Sequence, residues 1–142
     1  MNNKFNIPIT IIFFIYLIVL IKLLFFKYPA MMVFDITNGS YVPFKTILNY
    51  LSGEPTWNIA IRNIVGNIIL FVPLGFFLQF FCRSITWKFV LLATFIISVV
   101  IEITQGIFRV GIFDIDDILL NVFGAIIGYG IYVCLKLIFR KS

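Results

Sequence analysis

The sequence lacks histidine and is poor in charge, with six acidic residues and eleven lysines and arginines among 142 residues. Hydrophobic residues make up 62% of the chain and charged residues only 12%, and the mean hydropathy is +1.11. A soluble domain of this length needs more polar residues to cover its surface. The composition therefore excludes a soluble globular protein and predicts a membrane protein.

Cysteine is also scarce. Cys82 and Cys134 belong to no paired metal-binding motif, so we expect no disulfide, no metal and no cofactor. The net charge of +5 is explained by contact with anionic membrane lipid and requires no nucleic acid. Because no repeat or low-complexity tract divides the chain, residues 1–142 are predicted to form a single domain.

Four long apolar windows are present. A transmembrane helix needs about 20 residues to cross about 30 Å of hydrocarbon, and windows of that length cover residues 7–26, 61–81, 89–108 and 118–139. They lack the polar alternation of a β-barrel strand. The first window is too long for a signal peptide and is retained as a membrane anchor. The predicted fold is all-α, a polytopic membrane bundle of four transmembrane helices.

The long connection between the first two windows contains "PFKTILNYL", residues 43–51. Phe44, Ile47, Leu48 and Leu51 recur there at helical spacing. This pattern predicts a short amphipathic interfacial helix in the first outer loop, which would act as a tether packed on the bundle or as a lid.

Lysine and arginine placement predicts the orientation. When Arg62 and Arg109 are assigned to the spans, the positive-inside rule places both termini in the cytoplasm, in a multi-pass plasma-membrane protein. The cations on the predicted inner side are Lys4, Arg83, Lys88, Lys136, Arg140 and Lys141.

Polar side chains recur at spacings of three, four and seven residues, which place them on shared helix faces. Counted at 1.5 Å per residue from the inner ends, Asn67, Glu102 and Asn121 all fall about 20 to 22 Å deep, at one level. Asp116 is predicted to point elsewhere. The predicted ligand-binding set is Arg62, Asn63, Asn67, Glu102, Gln105, Arg109, Asp114, Asp117 and Asn121.

A charge in the bilayer costs about 2.5 to 3.5 kcal/mol on insertion scales, so Glu102 requires a proton or a partner. Arg62, Asn67 or Gln105 is the expected neighbour of Glu102, and Arg109 is expected to hold Asp114 or Asp117. The alternative is that the polar groups only join helices, as small residues such as Gly66, Gly124 and Gly128 also do.

The segment N-x-x-G-N-x-x-x-F-x-P-x-G, from Asn63 to Gly75, together with the polar series from Glu102 to Gly128, resembles the VanZ-like membrane protein family. The resemblance covers about the last two thirds of the chain, and "VPFKTI" is similar to the family's outer-loop segment. The Asn-Leu pair that usually precedes it is Ser40-Tyr41 here. The resemblance implies a bacterial envelope protein, and the founding member is associated with resistance to lipophilic glycopeptides of the teicoplanin type.

The leading functional hypothesis is an outer-leaflet pocket that binds an amphiphile, either such an antibiotic or a lipid-linked wall intermediate. An intramembrane enzyme is the alternative, with Glu102 or Asp117 as general base and Arg109 stabilising charge. It is disfavoured because no serine or cysteine is expected at the level of these residues.

Two further hypotheses are weaker. A proton-coupled carrier would use Glu102 as its titrating group and would need a homodimer, formed through Gly124 and Gly128. A divalent cation at the carboxylates of residues 114–117 is disfavoured because D-x-D-D lacks the rest of a calcium loop.

Overall fold

The computed structural model describes residues 7–25, 39–82, 84–108 and 110–140, and all five elements in these ranges are helices. Four of them are long and apolar enough to cross a membrane, which confirms the predicted fold and the four predicted spans. A shorter helix lies within residues 43–51, as predicted. The helices are α1 Ile7–Phe25, α2 Lys45–Leu51, α3 Trp57–Phe81, α4 Trp87–Ile107 and α5 Ile115–Arg140.

Helix α3 begins four residues before its apolar window because Thr56 caps it. The Thr56 side chain accepts a hydrogen bond from the backbone N–H of Ile59 at 3.5 Å. Such a cap satisfies a backbone donor that the first helical turn leaves without a partner. The start of α5 is capped in the same way, because the Asp114 side chain accepts the backbone N–H of Asp116, whereas Thr86 makes no side-chain cap at the start of α4.

Helices α3 and α5 are packed backbone against backbone. A Cβ atom added at Gly124 would overlap the carbonyl of Ile68, and one added at Gly128 would overlap the carbonyl of Val72. The predicted small-residue contact therefore forms within one chain, between α5 and α3. The homodimer stays a prediction, but these two glycines already face α3.

Helix α1 packs on α3 and α4. Leu20 and Leu24 form a buried core with Phe71 and Leu74 of α3. The hydroxyl of Tyr16 donates to the carbonyl oxygen of Leu70 at 2.7 Å. This bond lies in the turn just before Pro73, which sits inside α3 and removes one backbone donor from it.

One end of the bundle carries the short helix α2, and we call it the α2 end. The end of α1, the start of α3, the end of α4 and the start of α5 all lie there. Cys82 and Cys134, toward the opposite end, are exposed free thiols.

Candidate ligand site at the α2 end

Helix α2 is held by a carboxylate from another helix. It has seven residues, too few to be stable alone, and its N-cap residue Phe44 makes no side-chain cap. Instead, Asp116 accepts three backbone N–H groups, from Phe44 at 2.6 Å, Thr46 at 2.8 Å and Ile47 at 3.0 Å. Asp116 is fully buried. Residue spacing set Asp116 apart from the predicted binding set but did not reveal its role as the anchor of α2.

The segment before α2 is also tied to the start of α5. Ser40 forms a parallel bridge with Asp114, in which its N–H donates to the Phe113 carbonyl at 2.9 Å and its carbonyl accepts from the Ile115 N–H at 3.1 Å. The hydroxyl of Thr46 bonds to that of Ser40 at 3.0 Å. The segment from Ser40 to Ile47 therefore docks on the start of α5 as a fixed cover.

Glu102, Asp114 and Asp117 gather beneath this cover. Glu102 is 3% exposed, and its carboxylate accepts the backbone N–H of Asp114 at 3.0 Å. Asp114 in turn accepts the backbone N–H of Asp116 at 2.9 Å. Backbone donors at the start of α5 thus stabilise the buried Glu102 and the partly buried Asp114, which residue spacing could not indicate.

Arg62 and Gln105, two of the candidate partners of Glu102, are found in different environments. Arg62 is exposed near the start of α3. The side-chain amide of Gln105 donates to the Leu24 carbonyl at 2.7 Å and so joins α4 to the end of α1. Arg109, the partner expected for Asp114 or Asp117, lies outside the described residues.

Tyr50 of α2 connects the loop with α3. The side-chain amide of Asn63 donates to the Tyr50 hydroxyl at 2.6 Å. Burial raises the pKa of Tyr50, the negative charges of Asp117 and Asp114 raise this pKa further, and the bond to Asn63 opposes the shift. Tyr50 therefore keeps its proton at neutral pH and presents a polar but uncharged group to the carboxylates.

A second polar contact lies deeper, between α4 and α5. The Asn121 amide donates to the Ser98 hydroxyl at 2.7 Å, and both side chains are buried. Ser98, which was not in the predicted set, therefore contacts Asn121, a member of that set. Since Ser98 precedes Glu102 by one turn, this contact lies about 6 Å from Glu102 along α4. The polar groups thus occupy two levels instead of the single predicted one.

A lateral groove separates α1 from α3 near the α2 end. Its volume is about 510 Å³. Asn67 lies in it and is 3% exposed, whereas Lys22 and Arg62 are exposed. Two of the nine predicted site residues therefore line this groove. The lining residues are Lys22, Leu23, Arg62, Gly66, Asn67, Ile69 and Leu70.

Comparison with known proteins agrees with this architecture. Residues 13–139, most of the chain, match the model of the VanZ/LLP1 family. The chain belongs to the VanZ/LLP1 family. It is 31% identical over 120 residues to Protein VanZ of Enterococcus faecium, across 83% of this chain and 69% of that protein. No solved structure matches it.

In this VanZ-family chain the motif glycines divide into two kinds. The space beside Gly75, Gly124 and Gly128 is already occupied, because a Cβ added at any of them would overlap the backbone of the facing helix. Gly66 differs, since a Cβ added there meets nothing within 4 Å and points into open space in the groove. Its predicted role as a helix-packing residue does not hold within the described chain.

The described residues contain no group of three or more acidic or cysteine side chains arranged to hold a metal ion. The Asp116 carboxylate, part of the D-x-D-D pattern, is engaged by backbone N–H groups of the loop.

Proposed function

We propose that this VanZ-family membrane protein binds an amphiphile from the outer leaflet of the bacterial plasma membrane. The amphiphile is a glycopeptide antibiotic of the teicoplanin type or a lipid-linked wall component. The observation that carries the proposal is the groove between α1 and α3, where apolar walls meet Lys22, Arg62 and Asn67. With both termini in the cytoplasm, the polar end of this groove lies at the outer surface.

The shape and lining of the groove suit an amphiphile. Ligand sites of drug size usually enclose about 300 to 1,000 Å³ and combine apolar walls with a few placed polar groups. The groove has a volume of about 510 Å³, and Leu23, Ile69 and Leu70 supply apolar wall. An acyl chain can enter from the lipid side without crossing a polar barrier, while the head group stays near the cations.

The buried polar residues supply a second surface for the head group. Asn63 and Asn67 lie one turn apart on the same buried face of α3. Asn67 lines the groove, and Asn63 bonds to Tyr50 beneath the loop. A head group that passes Asn67 would therefore meet the side-chain amide of Asn63 and then the carboxylates near α2.

The link to resistance comes from the family. The relative from Enterococcus faecium carries the name Protein VanZ. The resemblance to the VanZ-like family implies an association with resistance to teicoplanin-type antibiotics. We extend that association to this chain, with binding of the amphiphile as its physical basis.

Filling the groove tests the proposal. Gly66→Leu places a side chain in the open space without displacing backbone, and it also favours the helix. Gly130→Leu is the matched control, because a Cβ at Gly130 likewise meets nothing within 4 Å and the residue does not line the groove. The readouts are the inhibitory concentration of teicoplanin in expressing cells and crosslinking of a photoreactive teicoplanin to the protein in membranes.

We expect Gly66→Leu to lose both crosslinking and the increment in resistance, and Gly130→Leu to keep them at the same amount of membrane protein. If Gly66→Leu keeps both, the groove is not the binding site and the proposal fails.

A further inference from the structure

Lys22 and Arg62 lie at nearly the same height on facing helices. The bond between Tyr16 and Leu70 fixes the register of α1 against α3, which run in opposite directions. Lys22 lies six residues beyond Tyr16, and Arg62 lies eight residues before Leu70. At 1.5 Å per residue these separations are about 9 Å and about 12 Å toward the α2 end, so the cations lie within about 3 Å in height.

Both cations lack an acidic partner in the part of the chain that the structure describes. They are exposed, and neither forms an ion pair with any carboxylate of the described ranges. Two positive charges that face one groove repel each other, and this repulsion is strongest where water is partly excluded. An anion between them would remove the repulsion, so the pair favours a negatively charged occupant.

The heights of the two cations indicate the source of that anion. Lys22 precedes the end of α1 by three residues and Arg62 follows the start of α3 by five, which is about 4.5 Å and about 7.5 Å inside the helix ends. Side chains of this length reach the lipid head groups from that depth. Below them the groove is lined by Ile69 and Leu70, and Leu23 adds apolar wall beside Lys22; these side chains match an acyl chain.

From this arrangement we infer that the groove holds an anionic phospholipid, with its phosphate between Lys22 and Arg62 and one acyl chain along the apolar wall. Arginine binds phosphate through paired N–H groups, and lysine adds a compact point charge. The inference rests on the proposed function and names the lipid that occupies the same groove.

Native mass spectrometry of the delipidated full-length protein in detergent tests this inference. The probes are dioleoyl phosphatidylglycerol, which carries one negative charge, and zwitterionic dioleoyl phosphatidylcholine with the same acyl chains. A cation near a charged lipid surface contributes about 1 kcal/mol, which corresponds to roughly fivefold in affinity per charge and roughly 30-fold for two. The wild-type protein should therefore prefer phosphatidylglycerol by about that larger factor.

Variants of the two cations test whether they cause the preference for phosphatidylglycerol. Lys22→Gln and Arg62→Gln should each lower the affinity for phosphatidylglycerol roughly fivefold, and the double variant should bind both lipids equally. Lys45→Gln is the matched control, because it removes an exposed cation at the α2 end that does not line the groove. It should keep the preference. Equal binding of both lipids by the wild-type protein, or an equal loss in Lys45→Gln, would overturn the inference.

The two proposals fail separately. If the wild-type protein shows no preference for phosphatidylglycerol but Gly66→Leu still abolishes teicoplanin crosslinking, the groove binds an amphiphile without selecting a net negative head group. If Gly66→Leu affects neither lipid binding nor crosslinking, both the lipid assignment and the proposed function are wrong.

Discussion

Replacing Asp116 with asparagine tests whether one buried carboxylate holds the loop on the bundle. One carboxylate oxygen accepts the N–H of Phe44 at 2.6 Å, and the other accepts those of Thr46 and Ile47 at 2.8 and 3.0 Å. Asparagine has nearly the same shape but only one acceptor oxygen and no charge. Its amide N–H₂ would face a backbone donor, so at least one of the three bonds is lost.

The magnitude follows from these contacts. Hydrogen bonds to charged groups contribute about 1.5 to 3 kcal/mol and neutral ones about 0.5 to 1.5 kcal/mol. Losing the bond to Phe44 costs about 2 kcal/mol, and loss of charge from the other two costs about 0.5 kcal/mol each. The sum is about 3 kcal/mol, or roughly 100-fold in the equilibrium for opening α2. A seven-residue helix cannot offset this loss by itself.

Hydrogen–deuterium exchange measures this opening directly. The peptide covering residues 44–51 should exchange roughly 100-fold faster in Asp116→Asn, while peptides from the spanning helices keep their protection. Thr46→Ala is the control, because it removes only the neutral bond to Ser40 and should accelerate exchange by less than about tenfold. If Asp116→Asn changes the exchange no more than Thr46→Ala does, the carboxylate does not hold α2.

Two more predictions concern packing and titration. Gly128→Ala should destabilise the protein by about 1 to 2 kcal/mol in detergent unfolding, because its Cβ overlaps the Val72 carbonyl; Gly130→Ala, with open space around it, should lose nothing. Tyr50 should titrate above its ordinary pKa of 10.0, measured as the alkaline absorbance that Tyr50→Phe removes, and Asp117→Asn should lower that pKa. Because the folded pKa is raised, the stability contributed by Tyr50 is fully present below about pH 10 and is lost as the pH rises through the raised value. An unchanged absorbance titration in Asp117→Asn would contradict the electrostatic part of this account.

The membrane architecture was accessible from the sequence because hydrophobic length is a local property. Each span could be found from about 20 consecutive residues, without knowledge of its neighbours. The same holds for α2, whose apolar residues repeat at helical spacing within residues 43–51. The family resemblance was likewise carried by residue spacing, and the family match confirms it.

Contacts between distant residues could not be derived in this way. Periodicity shows which face of a helix is polar, but not which neighbour that face meets. Asp116 binds backbone N–H groups some 70 residues earlier in the chain, and backbone groups leave no side-chain pattern to detect. Gln105 is a similar case, because its partner is the Leu24 carbonyl.

The glycines also show that sequence spacing does not reveal which neighbour a residue meets. Gly66 and Gly128 look alike in sequence, since both lie in apolar helices at the spacing typical of helix packing. In the structure Gly128 lies against the backbone of α3 at Val72, whereas a Cβ at Gly66 would meet no atom within 4 Å. The difference depends on the rotation of α3 between α5 and α1, which no local window encodes.

Helix α3 joins the two polar regions of the molecule. One face of α3 carries Asn63, which bonds to Tyr50 of the loop, and one turn further Asn67, which lines the groove. At 1.5 Å per residue these two amides are only about 6 Å apart along the helix. Because α3 is also locked to α5 through glycine contacts, this face cannot rotate without breaking that packing. The loop, the carboxylates near it and the lateral groove are therefore set in fixed positions around one rigid helix, as the proposed binding of the head and tail of a single amphiphile requires.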